Sequence, residues 1–335
     1  MKKTLIIAGI LCLSLTAVAG SPAPPEQVIP DTVQVGIYIT SIHNIDFIER
    51  EYSITFWLWM KYRNKKLNFS KYLEIPNAKT HICEFSNVDS SKDQVSMLMK
   101  IQCVMKDSWK IECFPFDKQT LWLTIESSQF DKDSLIFVQD SLGGHIGNRV
   151  KYSLAGWNID TLNILTGNSV YNTNFGDTPF RPSVTYSAYK VRVGIVRKSP
   201  GRLFWKMFLG MYVAFLISYV CFYIQPENFD SRFQLSVGAL FATIGNKYIV
   251  ESSLPDSTTF TLVDALHALT LLFILATIGA TIVSLRIGKR YKTFSSRKWD
   301  MIVAQVILLL YLIGNAYFII HSISQGHFAE TWHAG

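Results

Sequence analysis

Apolar and polar residues alternate along the chain from Thr32 to about Arg197. Residues two positions apart point to the same face of a β-strand, so this alternation predicts strands with one buried face. The buried positions are expected to be Val33, Val35, Ile37 and Ile39; Tyr52, Ile54, Phe56, Leu58 and Met60; Val95, Met97, Met99, Ile101 and Cys103; Leu121, Leu123 and Ile125; and Val191, Val193 and Ile195. Many such strands, with no helical periodicity among them, predict an all-β sandwich over residues 20–199.

The pattern changes after residue 200, where long apolar segments replace the alternation. Each segment is about 18 to 25 residues long, which is enough for a helix to cross the apolar core of a bilayer. The segments are 203–224, 233–250, 261–285 and 301–320. They predict an all-α domain of four transmembrane helices over residues 200–325, followed by a C-terminal tail at 326–335.

The first 19 residues predict a cleaved secretory signal peptide of bacterial style. Lys2 and Lys3 precede an apolar stretch, and Ala17-Val18-Ala19 fits the small-residue cleavage signal. The β domain would then lie outside the cytoplasm. The link between the third and fourth spans is basic and free of acids from Arg286 to Lys298, which predicts a cytoplasmic link by the positive-inside rule. Both signals predict a multi-pass inner-membrane protein with the β domain and the C-terminus outside the cytoplasm.

The composition and the cysteine count exclude several functions but do not assign one. The chain has 335 residues, is 49% hydrophobic and carries a formal net charge of +7. The four cysteines after the signal peptide are expected to be free, semi-buried thiols, although a Cys103–Cys113 disulfide is open. No metal-ligand spacing, phosphate-binding loop or nucleophile–base pair is evident, so we expect no metal, no cofactor, no enzymatic activity and no nucleic-acid partner.

The second span is unusually polar for a helix in lipid. At 100° per residue, one line along this helix collects carboxylate, polar, small and aromatic side chains. They are Glu227, Asp230, Gln234, Gly238, Phe241, Gly245, Tyr248 and Ser252. Arg232 and Lys247 lie on roughly the opposite side.

This stripe has two interpretations. Gly238 and Gly245 would allow a neighbouring helix to approach closely, which predicts a packing face. Alternatively, the stripe lines an aqueous pore. One helix cannot enclose a water path, so a pore requires a ring of copies. Phe241 would then form a hydrophobic ring that gates by dewetting, and Asp230 with Glu227 a negative ring at the cytoplasmic mouth.

Three local motifs and the order of elements resemble one known family. The motifs are FPFD at Phe114–Asp117, the strand "FWLWMKYRNKKL" and Pro255 just after the polar span. Together with the exported β-sandwich and four spans, they resemble the pentameric ligand-gated ion channels, the Cys-loop receptor superfamily, over about residues 32–320. The positions matching the two cysteines of the family's signature disulfide are Asp107 and Leu121. That difference, the short link between spans three and four, and the style of the signal peptide indicate the bacterial branch.

The resemblance implies a coupling role for the FPFD loop. Phe114, Pro115 and Phe116 would form a stiff apolar wedge against the outer end of the spans, near Pro255. Asp117 would be partly desolvated there and would require a cationic partner, and Arg197 matches the partner position of the family. Either Asp46 or Glu49, in a nearby turn, would complete the contact. The alternative is a loop with a purely structural role.

The resemblance also implies a ligand site between subunits, lined by aromatic side chains and a few polar groups. The candidates are Glu126, Phe130, Tyr171, Phe175, Phe180 and Tyr186. Glu126 would face an ammonium group, and the aromatic rings would attract a ligand amine by cation–π interaction. Each of these aromatic residues has an alternative place in the sandwich core or at its surface.

These observations predict a homopentameric ligand-gated channel in a lipid bilayer, opened by a small-molecule agonist and passing inorganic ions. Cation selectivity is expected because Asp230 and Glu227 face the ion path while Arg232 faces away. The alternatives are an anion-selective member, a proton-gated member, or a membrane-anchored sensor that does not conduct. His267 in the third span is expected to form interhelical hydrogen bonds, with proton modulation as the alternative.

Overall fold

The computed structural model of the chain describes residues 29–91, 93–147, 150, 154–176, 182–225, 227–290 and 296–328. The predicted signal peptide, the candidate ligand residue Phe180 and most of the predicted C-terminal tail lie outside this part of the chain.

Ten strands occupy the described part of residues 31–197. They are β1 (Asp31–Asp46), β2 (Glu51–Tyr62), β3 (Leu73–Glu74), β4 (Ala78–Asp89), β5 (Val95–Lys106), β6 (Lys118–Ser127), β7 (Leu135–Gln139), β8 (His145–Ile146), β9 (Trp157–Tyr171) and β10 (Val184–Arg197). One sheet has the order β4–β5–β2–β1–β7, with β8 beside β1, and the other has the order β3–β6–β10–β9. A single turn of helix, α1 (Phe69–Tyr72), interrupts the strands, so the expectation of a domain without helix is wrong for these four residues.

The core lies between the two sheets. Every side chain that the alternation assigned to the interior is buried, from Val33 on β1 to Ile195 on β10. The Tyr52 hydroxyl donates a hydrogen bond from β2 to the Trp122 carbonyl on β6, at 2.6 Å. The Phe137 amide on β7 likewise donates to the Ser187 hydroxyl on β10, at 2.9 Å. The two sheets therefore share apolar side chains and polar links, which is how a β-sandwich buries both inner faces.

The four cysteines in the described part of the chain are free. Cys103 and Cys221 are buried and Cys113 is half-buried, as semi-buried thiols would be. Cys83 differs, because its place on the edge strand β4 leaves it exposed.

Four long helices follow the sandwich: α2 (Pro200–Val220), α3 (Phe229–Glu251), α4 (Leu262–Arg290) and α5 (Ser296–Phe328). Each extends beyond the apolar segment that predicted it at one or both ends, because helical hydrogen bonding continues into polar flanks. Three helical stretches, 200–223, 262–287 and 297–326, are long and apolar enough to cross a membrane. α3 falls short by composition because of its polar side chains.

α3 packs into the bundle by one face. The side chains buried on that face are Arg232, Ser236, Ala239, Thr243 and Val250. The Ser236 hydroxyl lies 3.3 Å from the Ser218 hydroxyl of α2. α2 in turn packs on α5, where the rings of Phe215 and Tyr311 stack with centroids 3.7 Å apart. The opposite face of α3 therefore has no helix of the same protomer against it among the described residues.

Candidate functional site

The polar stripe of α3 lies on this unpacked face. All eight residues that the helical projection grouped, from Glu227 to Ser252, are exposed in the protomer. Phe241 is 68% exposed and Tyr248 74%, which is unusual for large aromatic side chains. A Cβ built at Gly238 or Gly245 would have no heavy atom of the described residues within 4 Å. These two glycines therefore do not serve close packing within one protomer.

The cations of α3 lie away from the stripe. Arg232 is 1% exposed, and its guanidinium donates to Asp300 of α5 at 2.7 Å and to the Ile224 carbonyl. Lys247 lies 3.0 Å from both Glu251, four residues on, and Asp264 of α4. Each cation thus has a carboxylate partner on the packed side.

His267 of α4 is fully buried among three helices. Its Nδ1 lies 2.8 Å from the Val263 carbonyl and its Nε2 3.1 Å from Asn246 Oδ1 of α3. Asn246 also donates to the Met207 carbonyl of α2 at 3.2 Å. The predicted interhelical hydrogen bonding of His267 is present.

The FPFD loop lies on the ends of the helices that face the β domain. Phe114 and Pro115 are buried, and Phe114 packs with Phe208 and Leu266 in one apolar cluster. The ring of Phe116 lies 5.8 Å from that of Phe204. The backbone adds a bond, because the Leu262 amide at the start of α4 donates to the Glu112 carbonyl at 2.9 Å. The loop therefore contacts α2 and α4 directly, with the buried Pro255 nearby.

Asp117 and Arg197 form a bidentate pair at the domain boundary. Arg197 Nε donates to Asp117 Oδ1 at 2.7 Å and Nη2 to Oδ2 at 3.2 Å, and Gln119 Nε2 donates to Oδ2 at 2.7 Å. The side chain of Asp117 is 2% exposed and that of Arg197 13%. The guanidinium also lies over the rings of Phe47, Phe114 and Trp157, at 5.0, 4.9 and 4.2 Å from their centroids. Desolvation by these rings strengthens the attraction between the two charges.

The turn after β1 contacts the Asp117–Arg197 pair, but not through Asp46 or Glu49 as expected. Asp46 and Glu49 are exposed, and neither forms an ion pair with Arg197 among the described residues; Asp46 Oδ1 instead accepts the Glu49 amide at 2.9 Å within their own turn. Phe47 makes the contact with Arg197. Asp46 and Glu49 are therefore wrong as partners of the pair, because a short side chain on an exposed turn satisfies its own backbone first.

Two residues of this boundary were missed by sequence reasoning. Arg50 donates to the Asp256 carbonyl at 2.7 Å and so joins the β1–β2 turn to the segment after α3. Trp109 donates to the Asp46 carbonyl at 2.8 Å and stacks on Phe47 at 5.0 Å. Both bind backbone carbonyls, and a backbone acceptor leaves no mark in the sequence.

Asp107 is one of the two residues that match the cysteines of the signature disulfide in the family that the chain resembles. Its carboxylate accepts the Ser108 amide at 2.8 Å and the Trp122 amide on β6 at 3.2 Å. Burial raises the pKa of Asp107, and these two backbone donors oppose that shift. A hydrogen bond therefore joins the end of β5 to β6 beside Leu121, where a covalent link is lacking.

The candidate ligand residues mostly converge. Glu126, Tyr171, Phe175 and Tyr186 line one open cavity of about 1040 Å³ at the end of β6 and β9. The Tyr171 hydroxyl donates to Glu126 Oε2 at 2.9 Å. The Tyr171 ring lies 5.6 Å from that of Phe175 and 5.8 Å from that of Tyr186. Burial, together with the Glu126 carboxylate, raises the pKa of Tyr171, so its hydroxyl keeps its proton and remains a donor.

Phe130 lies outside this lining. It is half-buried against the sandwich core, and its ring packs edge-on against Tyr72 at 6.3 Å. Tyr72 and Glu74 line the cavity instead, although sequence reasoning passed over both. Glu74 pairs directly across from Glu126 in the β3–β6 ladder. A two-residue strand is too short to show an alternating pattern, so this pairing had no signal in the sequence.

No protein-family profile matches the chain. It is similar to a proton-gated ion channel of Gloeobacter violaceus, with 22% identity over 282 residues that cover 76% of this chain and 72% of that protein. In sequence, as in its motifs and order of elements, the chain resembles the pentameric ligand-gated ion channels.

The likeness to an ion channel confirms two expectations, that the chain is a membrane protein and that it is not an enzyme. Its two packed sheets followed by four long helices agree with the architecture of that family. Among the described residues, no group of three or more His, Cys, Asp or Glu side chains lies close enough to hold a metal ion.

The buried Asp117–Arg197 pair at the domain boundary yields a stability prediction. Asp117→Asn should lower the free energy of unfolding by about 3 to 5 kcal/mol, because it leaves the charge of Arg197 buried without a carboxylate. The measurement is the thermal unfolding midpoint of the detergent-purified protein. Lys79→Gln is the control, since it breaks only the exposed Lys79–Glu51 pair and should change the midpoint little. Equal midpoints for the two variants would contradict the prediction.

Proposed function

We propose that the chain is a cation-selective, ligand-gated channel that works as a homopentamer in a bacterial inner membrane. The β domain at 20–199 would lie outside the cytoplasm with the C-terminus, and α3 would be the second of four spans. One observation carries the proposal. One face of α3 is buried in its own protomer. The opposite face carries carboxylates, an amide, glycines and aromatic rings, all of them exposed.

The polar side chains on that face of α3 require contact with water or with other protein groups. Carboxylates such as Asp230 and amides such as Gln234 cannot face lipid without a large free-energy cost, so they face protein or an aqueous cavity. The open space around Gly238 and Gly245 supports the cavity. A ring of copies that turn this face inward encloses a water column. Phe241 then forms its apolar constriction.

Cation selectivity follows from the charges near the cytoplasmic end of α3. Glu227 and Asp230 are exposed on the stripe side, whereas Arg232 is buried and paired with Asp300. The ion path would therefore meet carboxylates with no compensating exposed cation of α3 beside them.

The agonist we propose is a small amine. Its site is the cavity that contains Glu74 and Glu126 on neighbouring strands and the rings of Tyr171, Phe175 and Tyr186. Two carboxylates favour a cation, and the aromatic faces add cation–π attraction. The cavity is open at the protomer surface, so a neighbouring subunit would close it. Phe180 stays in the proposal for this site on the basis of the resemblance alone.

Two strands join this cavity to the helices. β6 begins at Lys118, next to Asp117, and ends at Ser127, next to Glu126. β10 carries Tyr186 near its start and Arg197 at its end. We propose that ligand binding shifts these strands against the FPFD loop, the Asp117–Arg197 pair and Pro255, and so biases the outer ends of α2 and α4.

External protons are the second candidate stimulus. The relative from Gloeobacter violaceus is described as proton-gated, and 22% identity leaves room for a different stimulus in this chain. Steps of external pH in the absence of amines separate the two candidates.

The pore face can be tested with introduced cysteines. In a Cys83→Ser background, Gly238→Cys, Phe241→Cys and Gly245→Cys should react with a charged thiol reagent, because a water column reaches these positions. Ser236→Cys, Ala239→Cys and Thr243→Cys should be spared, because their side chains are buried in the protomer. The readout is the rate of current block. The reverse pattern would exclude this face as the pore lining.

Neutralising the proposed negative ring should weaken cation preference. Asp230→Asn is expected to lower the permeability ratio of potassium to chloride by about tenfold, the effect of a unit charge close to the ion path. Reversal potentials in asymmetric potassium chloride measure this ratio. The control is Asp256→Asn, an exposed position in the segment after α3. An Asp230→Asn channel with wild-type reversal potential would refute the assignment.

Removing one carboxylate from the cavity should weaken amine activation. Glu126→Gln is expected to raise the half-maximal concentration of an activating amine by about 10-fold to 100-fold, because a charged partner is lost. Concentration–response curves over a panel of small primary and quaternary amines provide the measurement. Asp93→Asn, an exposed change in the β4–β5 turn, is the control. If Glu126→Gln and Asp93→Asn respond alike, the amine does not bind at this carboxylate.

A further inference from the structure

A buried ion pair joins the cytoplasmic end of α3 to the start of α5. Arg232 Nη2 donates to Asp300 Oδ2 at 2.7 Å, and the two side chains are 2% and 1% exposed. The same guanidinium donates to the Ile224 carbonyl, between α2 and α3. Among the described residues, Asp300 is the charged partner of this cation, and it belongs to a helix that contributes nothing to the polar stripe.

Arg232 lies at the same height along α3 as the charged end of the proposed pore lining. It follows Asp230 by two residues and precedes Gln234 by two, so it lies about 3 Å along the axis from each of these stripe residues. Its side chain points to the opposite side, across a helix about 10 Å in diameter. Protein between a charge and an ion path screens poorly compared with salt water. An uncompensated cation at this level would therefore repel cations in the path although it does not line it.

The pair is incompletely hydrogen-bonded. Arg232 Nη1 and Asp300 Oδ1 are buried without a partner among the described residues. Buried ion pairs are often no more stabilising than well-packed apolar residues, so stability alone explains this pair poorly. Its electrostatic consequence is clear, because the carboxylate cancels the charge of Arg232 close to Asp230.

We propose that Asp300 of α5 maintains the cation selectivity of the channel by neutralising Arg232 behind the pore-lining face. The proposal rests on the proposed pore. A purely structural pair would change assembly and thermal stability but not the reversal potential of the channels that do assemble. Reversal potential is therefore the readout that separates the two roles.

The experiment compares four full-length variants with the wild type in asymmetric potassium chloride: Asp300→Asn, Arg232→Gln, the double variant Arg232→Gln/Asp300→Asn, and Lys298→Gln. Asp300→Asn should lower the potassium-to-chloride permeability ratio by about tenfold, the effect of one unit charge about 10 Å away at an effective dielectric constant of about 20. The double variant should return to within about twofold of wild type, because both charges are gone. Lys298→Gln removes an exposed charge near the start of the same helix and should shift the ratio less than about twofold, because solvent screens it.

Wild-type reversal potential in assembled Asp300→Asn channels would overturn the proposal. If Asp300→Asn does not assemble, Arg232→Gln is compared with the double variant, which differs from it only by the carboxylate of Asp300. A higher cation preference in Arg232→Gln supports the proposal, and an equal ratio overturns it. A wild-type channel that prefers chloride would refute the proposed cation selectivity, while the shift caused by Asp300→Asn would still test the role of Asp300.

Discussion

The pair of Asp117 and Arg197 is the interaction on which the joint between the two domains depends. Both charges are largely removed from water, and the bidentate geometry, Gln119 and three aromatic rings compensate for that loss. Arg197 ends β10 three residues before α2 begins, so this pair fixes where the first helix leaves the sandwich. The apolar loop tip then has a defined surface to contact.

α3 shows how one helix satisfies two environments. Its packed face consists of small and polar residues that bond to α2, α4 and α5, whereas its other face keeps carboxylates, glycines and aromatic rings exposed. The cations Arg232 and Lys247 are held on the packed side by Asp300, Glu251 and Asp264. The separation of charge across α3 is thus maintained by Glu251 of the same helix and by Asp300 and Asp264 of neighbouring helices, and the proposed selectivity depends on that separation.

The surface between the β domain and the helices is built mainly from backbone contacts and apolar packing. Arg50 binds the Asp256 carbonyl, the Leu262 amide binds the Glu112 carbonyl, and Asp107 binds the Trp122 amide where a disulfide is absent. Such contacts are individually modest and together hold the loop in register with the helices.

The sequence by itself determined the elements and their faces, because periods of two and 3.6 residues state which side chains share a side. It predicted the buried positions from Val33 to Ile195, the four long helices and the stripe on α3, whereas the Asp117–Arg197 contact was implied by the resemblance to a known family. Only the tertiary structure decided which groups meet across elements: Asp300 on Arg232, Arg50 on the Asp256 carbonyl, Glu74 beside Glu126, and Phe47 in place of Asp46 and Glu49. These contacts join residues far apart in the chain, many of them through backbone atoms that every residue shares. Their identity therefore follows from packing and not from any local pattern.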